Sequence, residues 1–210
     1  RRDYYTDYPR TILWLVPGGA DAEPFYLGKL PVTNEQYEAF DPGFERQPAS
    51  PGDRDPATGV SWHDAAAYCR WYAALSRKPM RLPSEAEWEH ACRGGTPAGA
   101  AGPWFWGDDP AGGDDHAWDA GSSGGRMHPL DAKKANGFGL FGMLGGVWEW
   151  TGSLFVPDGS DESTGEPRYV LRGGSFLTPR AAATCAHRRP EPAGARFPDA
   201  GFRVARSLRA

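Results

Sequence analysis

The chain has 210 residues, 40% of them hydrophobic and 24% charged, which is enough apolar material for a real core and excludes bulk disorder. A net charge of −4 excludes a broad basic nucleic-acid footprint, and no apolar run approaches the about 18 residues of a membrane span. Three cysteines exclude a dense disulfide framework, while 28 Gly, 20 Pro and nine Trp together describe a loop-rich fold pinned by aromatic plugs.

The chain starts at Arg1 rather than Met and shows no charged-then-apolar leader, so it reads as a piece of a longer protein, and no localisation is assigned. Residues 12–17 form a strand-sized apolar run, and residues 25–32 read as a strand ended by Pro31. Thr33 followed by Gln36 has capping-box form and opens a short helix to Phe40 that buries Tyr37 and Phe40. Residues 41–59, rich in Pro and Gly, are loop. Ser61 with Asp64 caps a second helix through Leu75, with Trp62, Ala66, Cys69 and Ala73 on its expected buried face and Pro79 beyond its end. Ser84 with Glu87 opens a third helix to about Cys92, stopped by Gly94 and Gly95. Residues 94–139 are Gly-rich but punctuated by Trp104, Phe105, Trp106, Trp118 and Phe138, which predicts an ordered insertion. Residues 169–176 read as a strand, alternation returns over 185–188, and residues 201–206 close the chain as a strand. Early helices followed by short strands, with no βαβ alternation, predict an α+β fold in one domain spanning 1–210.

Catalytic machinery is sparse. There is no phosphate loop and no Gly-x-Ser-x-Gly elbow, and the five His residues are scattered without an i, i+4 pair. Asp108, Asp109, Asp114, Asp115, Asp119 and Asp131 lie in the Gly-rich stretch, where a calcium site and a solvated acidic loop are both open readings. Glu149, between Trp148 and Trp150, needs an Arg, backbone donors or a cation such as calcium as its partner. A catalytic acid ranks third, for want of a second carboxylate.

Several segments resemble the formylglycine-generating enzyme (sulfatase-modifying factor) superfamily: Pro31 to Tyr37, Val60 to Trp62 with Ala67 to Cys69, Arg81 to Glu89 and Cys92 to Gly95. So do Asn136 to Leu140, Val147 to Trp150, Arg172 to Phe176 and Gly201 to Arg203. The motifs run in the family's order and cover about residues 25–206. The resemblance implies a C-type-lectin-like fold with much irregular structure. The superfamily contains copper-dependent oxidases, iron-dependent sulfoxide synthases, and binding proteins that include the variable proteins of diversity-generating retroelements. By position, the oxidases' two copper thiolates would fall at Thr178 and near Ala183; neither residue supplies the soft sulfur Cu(I) needs. Nothing resembles the His-rich helical domain from which the sulfoxide synthases take iron. The resemblance also pairs Cys92 with Cys185 as a disulfide, and leaves Cys69 free and buried near Val204. Gly146 stands where the family often has Asn, so no tightly bound metal is expected; calcium at Glu149 is the alternative.

The expected function is therefore non-catalytic binding of a protein or small ligand through a display region at about 176–200. Its candidate contacts are Phe176, Leu177, Thr178, Arg180, His187, Arg189, Arg196, Phe197 and Asp199. Glu, Gln, Lys, Met and Trp, which adenine-directed mutagenesis of Asn-type codons cannot produce, occur there only as Glu191, in keeping with a retroelement variable protein. The alternative is an enzyme or enzyme domain of the superfamily: a divergent oxidase, or the substrate-side domain of a sulfoxide synthase.

Overall fold

Local side-chain chemistry starts each of the longer helices. In the computed structural model, which describes residues 4–5, 10–19, 23–96, 102–156 and 166–208, reciprocal capping boxes open α1 (Asn34–Glu38), α2 (Trp62–Ser76) and α3 (Glu85–Arg93). Thr33, Ser61 and Ser84 each accept from the backbone N–H three residues on, and Gln36, Asp64 and Glu87 reach back to the cap N–H. Left-handed Arg77 (φ 53°) and Gly94 (φ 62°) end α2 and α3.

The buried face of α2 differs from the sequence expectation. Ala65, Tyr68, Cys69 and Tyr72 enter the core, whereas Trp62, Ala66 and Ala73 stay half-buried. Two tyrosine rings bury more surface than two alanines, so they set the helix rotation. Tyr68 stacks on Tyr37 at 5.8 Å and meets Phe202 edge-on at 5.3 Å. Trp62 stacks instead on Tyr169 at 3.7 Å and donates its indole N–H to the Thr151 carbonyl.

Two sheets complete the α+β architecture. One has the order β1 (Tyr4–Tyr5), β2 (Ile12–Val16), β3 (Phe25–Gly28), β9 (Ala205–Ser207), β4 (Met80–Arg81), with every pair antiparallel. The other has the order β7 (Arg188–Pro192), β6 (Arg168–Arg172), β5 (Trp148–Leu154), β8 (Ala200–Gly201), with β5 and β8 parallel. Strands are shorter than the sequence predicts. The 25–32 segment leaves its ladder after Gly28, and 169–176 stops at Arg172, where Gly173 and Gly174 take φ of 97° and 77°. The expected 201–206 strand is interrupted at 202–204, where Arg203 turns into the protein. The alternation expected over 185–188 is instead turn and coil through His187; only at Arg188 does β7 begin, an edge strand that carries Pro190 and Pro192.

The Gly-rich stretch is organised by rings wherever it is described. Trp104 is buried and stacks on Trp106 at 5.7 Å, and Trp106 stacks on His116 at 5.4 Å. Residues 97–101 lie outside the described residues.

Tyr68→Ala is expected to cost about 3–5 kcal/mol, the range for emptying a large aromatic site. Ala73→Ser, on the half-buried face, should cost under about 0.5 kcal/mol. Urea denaturation of both variants checks the rotation of α2; equal losses would contradict it.

Candidate ligand-binding surface

Glu149 sits on β5 with its side chain fully buried, and its partner is an arginine. Arg203 donates Nε–H to Oε2 and an Nη2–H to Oε1, both at 2.7 Å, and Trp88 adds its indole N–H to Oε2 at 2.8 Å. Arg203 itself is fully buried and spends its other donors on the carbonyls of Gly28 (3.0 Å) and Phe141 (3.0 Å). The carboxylate is thus committed to protein donors. At Gly146, φ is +68°, and an added Cβ would come within 2.6 Å of Leu130 Cδ2, so a side chain there would require Leu130 to shift.

The position that would carry the copper thiolates is built from hydroxyls and a methyl. Thr178 Oγ1 accepts from the Ser175 amide at 2.9 Å and lies 3.2 Å from Ser175 Oγ, which donates to Asp199 Oδ2 at 2.5 Å. Ala183 brings only a methyl to Gly174, where an added Cβ would stand 2.8 Å from it. Hard hydroxyl and carboxylate oxygens do not suit Cu(I), so the residues present do not fit the oxidase metal. Among the described residues no three His, Cys, Asp or Glu side chains gather for a metal ion. Acidic residues of the Gly-rich stretch pair with cationic side chains instead: Asp115 with Lys134, Asp131 with Arg54, and Asp114 and Asp119 both with Arg180. Asp109 caps a short helical turn by accepting from Ala111 N–H.

The structure narrows the expected display surface. Phe176 is a core side chain at 1% exposure, packed with Met127, Leu130 and Val147, so it is not available to a ligand. Thr178 and Asp199 are buried and mutually satisfied through Ser175. Arg180 binds Asp119, Asp114 and the Pro110 carbonyl, so it fastens the Gly-rich stretch. Burial alone would push the Asp119 carboxyl up, but the Arg180 guanidinium, Ser122 and the Gly121 amide outweigh it and hold the carboxyl below its usual value.

What remains open is a smaller cationic and aromatic tract on and around β7. Leu177 is half-exposed, and Arg189 lies over Phe197 at 4.1 Å and over Trp148 at 5.6 Å. His187 meets Trp148 edge-on at 5.3 Å. Glu191 holds Arg189 at 2.9 Å, and Asp64 holds Arg196 at 2.6 Å. These pairs fix long side chains in place before any ligand arrives, which lowers the ordering cost of binding. Trp148, the platform under His187 and Arg189, is absent from the sequence-derived set; its place beside buried Glu149 on β5 was the available signal.

Cys92 and Cys185 are both buried and free, with their sulfurs 3.3 Å apart, so the pair that the resemblance gives as a disulfide stands here as two thiols in contact. Burial, reinforced by the neighbouring sulfur, pushes the Cys92 thiol well above its ordinary value. Cys69 is buried in the same core cluster as Val204, and burial pushes its thiol up to about 12.

Removing Arg203 would strand a buried carboxylate, so Arg203→Ala should cost about 3–5 kcal/mol by denaturant titration. A loss under 1 kcal/mol would show that the pair does not hold the fold. Diamide oxidation is expected to leave one titratable thiol, with a Cys92–Cys185 peptide in the digest and Cys69 modified only after unfolding. A cross-link through Cys69 would contradict the arrangement.

The sequence pattern of the sulfatase-modifying factor enzyme 1-like domain matches residues 18–208. The chain is 40% identical over 152 residues to the inactive Cα-formylglycine-generating enzyme 2 of Mus musculus, covering 64% of this chain and 44% of that protein. It is 34% identical over 169 residues to the formylglycine-generating enzyme of Bos taurus, covering 71% and 43%. The chain therefore spans less than half the length of these relatives. Treponema denticola variable protein 1 has the same fold at a TM-score of 0.81 and 21% identity, with 98% of both chains covered. PvdO from Pseudomonas aeruginosa has it at 0.81 and 24%, covering 99% of this chain and 98% of that one. With motifs, fold and sequence pattern in agreement over nearly the whole chain, this protein belongs to the sulfatase-modifying factor (formylglycine-generating enzyme-like) family.

Proposed function

We propose that this chain is a non-catalytic binding domain that recognises a protein or small ligand through Leu177, His187, Arg189, Arg196 and Phe197. The reading rests on one observation above the others: the positions to which the family resemblance carries the oxidases' copper thiolates, Thr178 and near Ala183, hold no sulfur. Arg with aromatic side chains on a pre-fixed frame is the composition of binding hot spots. The full-length fold match to a variable protein, and the absence of Glu, Gln, Lys, Met and Trp from 176–200 apart from Glu191, support a retroelement-diversified display role. The identity to a relative described as inactive is in keeping with loss of catalysis in this family. A divergent oxidase is the second reading, favoured by the identity to formylglycine-generating enzymes.

The two readings separate in one assay. Purified protein supplied with Cu(I), oxygen and a sulfatase-type cysteine peptide is expected to leave the peptide thiol intact by mass spectrometry. Conversion of that cysteine to the aldehyde would establish the oxidase instead. On protein and glycan arrays, Leu177→Ala and Arg189→Ala should weaken any captured ligand while the melting temperature stays within a few degrees of wild type.

A further inference from the structure

A groove of about 640 Å³ lies between α2, β4 and the start of α3, in the middle of the about 300–1,000 Å³ of small-molecule sites. Buried Cys69, Met80 and Leu82 form its floor, and Trp62 and Ala66, one helical turn apart on α2, form a wall. The Trp62 ring is fixed before any ligand arrives, by its 3.7 Å stack on Tyr169 and by the indole hydrogen bond to the Thr151 carbonyl. A ring already held in place loses little freedom on binding. Sulfur on the floor adds a soft, polarizable surface of the kind that aromatic rings contact favourably.

The polar groups of the inner groove are already committed. Arg81 donates to both carboxylate oxygens of Glu87, at 2.6 and 2.7 Å, and to Ser207 Oγ at 2.9 Å. Ser84 and Glu87 close the capping box of α3 on each other, at 2.7 and 3.1 Å. Among the described residues, no side chain lining the groove is a buried donor or acceptor without a partner. Exposed Glu23 and Arg70 stand at the rim, so the lining carries two carboxylates against two guanidiniums. That balance complements a ligand without net charge. An ion would meet both signs there, and no buried group waits to replace its lost hydration.

We infer that this groove is a binding site for a neutral small molecule with an aromatic body, its ring packed against Trp62, Met80 and Leu82. The groove shares no residue with the C-terminal tract, so the inference does not rest on the binding role proposed for Leu177, His187, Arg189, Arg196 and Phe197.

The chain has three methionines, so methyl-labelled methionine in the intact protein gives three NMR signals. Met80 lines the groove, whereas Met127 and Met143 are buried in other clusters and serve as internal controls. The probe is naphthalenemethanol, compared with naphthylmethylammonium, naphthoate and the saturated decalin alcohol. Naphthalenemethanol should give a saturable shift at the Met80 methyl and leave the other two unmoved. Neither ion should bind more tightly, and the saturated alcohol should bind about threefold more weakly, for want of ring–ring and sulfur–aromatic contacts. Ala66→Phe, which fills the groove, should weaken the probe at least about tenfold while the melting temperature stays within a few degrees of wild type. Ala66→Leu, a smaller plug, should weaken it in the same direction and covers the case in which the Phe side chain disturbs α2. Arg70→Gln should bind the probe like wild type. No saturable shift at Met80, tighter binding of either ion, equal affinity for the saturated alcohol, weakened binding in Arg70→Gln, or undiminished binding in the folded Ala66 variants would overturn the inference.

Discussion

One buried ion pair joins most of the chain. Arg203 and Glu149 sit with no solvent contact, and their attraction offsets a desolvation cost of several kcal/mol per ion only because every donor finds an acceptor. Arg203 lies between β8 and β9, and β8 and β9 belong to different sheets. Its guanidinium binds the β5 carboxylate, the carbonyl at the end of β3, and the loop carbonyls of Phe141 and Gly142. Trp88 of α3 completes the carboxylate's shell. A single side chain therefore sets the relation between both sheets, one helix and the approach to β5. It also explains why the last strand is broken: an arginine turned inward between two sheets cannot sit in the ladder of either.

A parallel arrangement anchors the other side of α3. Arg172, fully buried at the end of β6, donates to Glu85 and Glu89 of α3 and to the carbonyls of Cys185 and Ala186, and lies over the Trp88 ring. The Cys92–Cys185 contact lies beside this arginine's carbonyl contacts. Charge and aromatic faces hold the irregular chain between β6 and β7, where regular hydrogen-bond ladders are scarce. Close backbone passage at Gly145 contributes as well, since an added Cβ would meet the Trp118 carbonyl oxygen at 2.3 Å.

How much of this was readable in the sequence depended on how local the physics was. Capping boxes at Thr33, Ser61 and Ser84 are set by residues three apart, and all three are present as read. The rotation of α2 was not readable from periodicity, because Ala-rich positions fill both faces; Tyr68 settles it through contacts with Tyr37 and Phe202. The need of Glu149 for a partner was legible from its apolar neighbours, but the choice of Arg203 over a cation depends on a residue 54 positions away. The same applies to the C-terminal tract. Composition marks 176–200 as rich in Arg and aromatics, yet only the fold sends Phe176 inward and leads Arg180 to Asp119, 61 positions distant.

The edge strand β7 has a further consequence. Pro190 and Pro192 have no N–H to offer, so the outer rim of this sheet is a poor template for a neighbouring strand. Arg189, a member of the exposed tract, sits on this strand, where apolar side chains would otherwise invite intermolecular sheet growth. An edge short of N–H donors offers neighbouring chains a weaker pairing template whatever side chains it carries. Protection of this rim against strand pairing is then a property of two prolines and not of the side chains beside them.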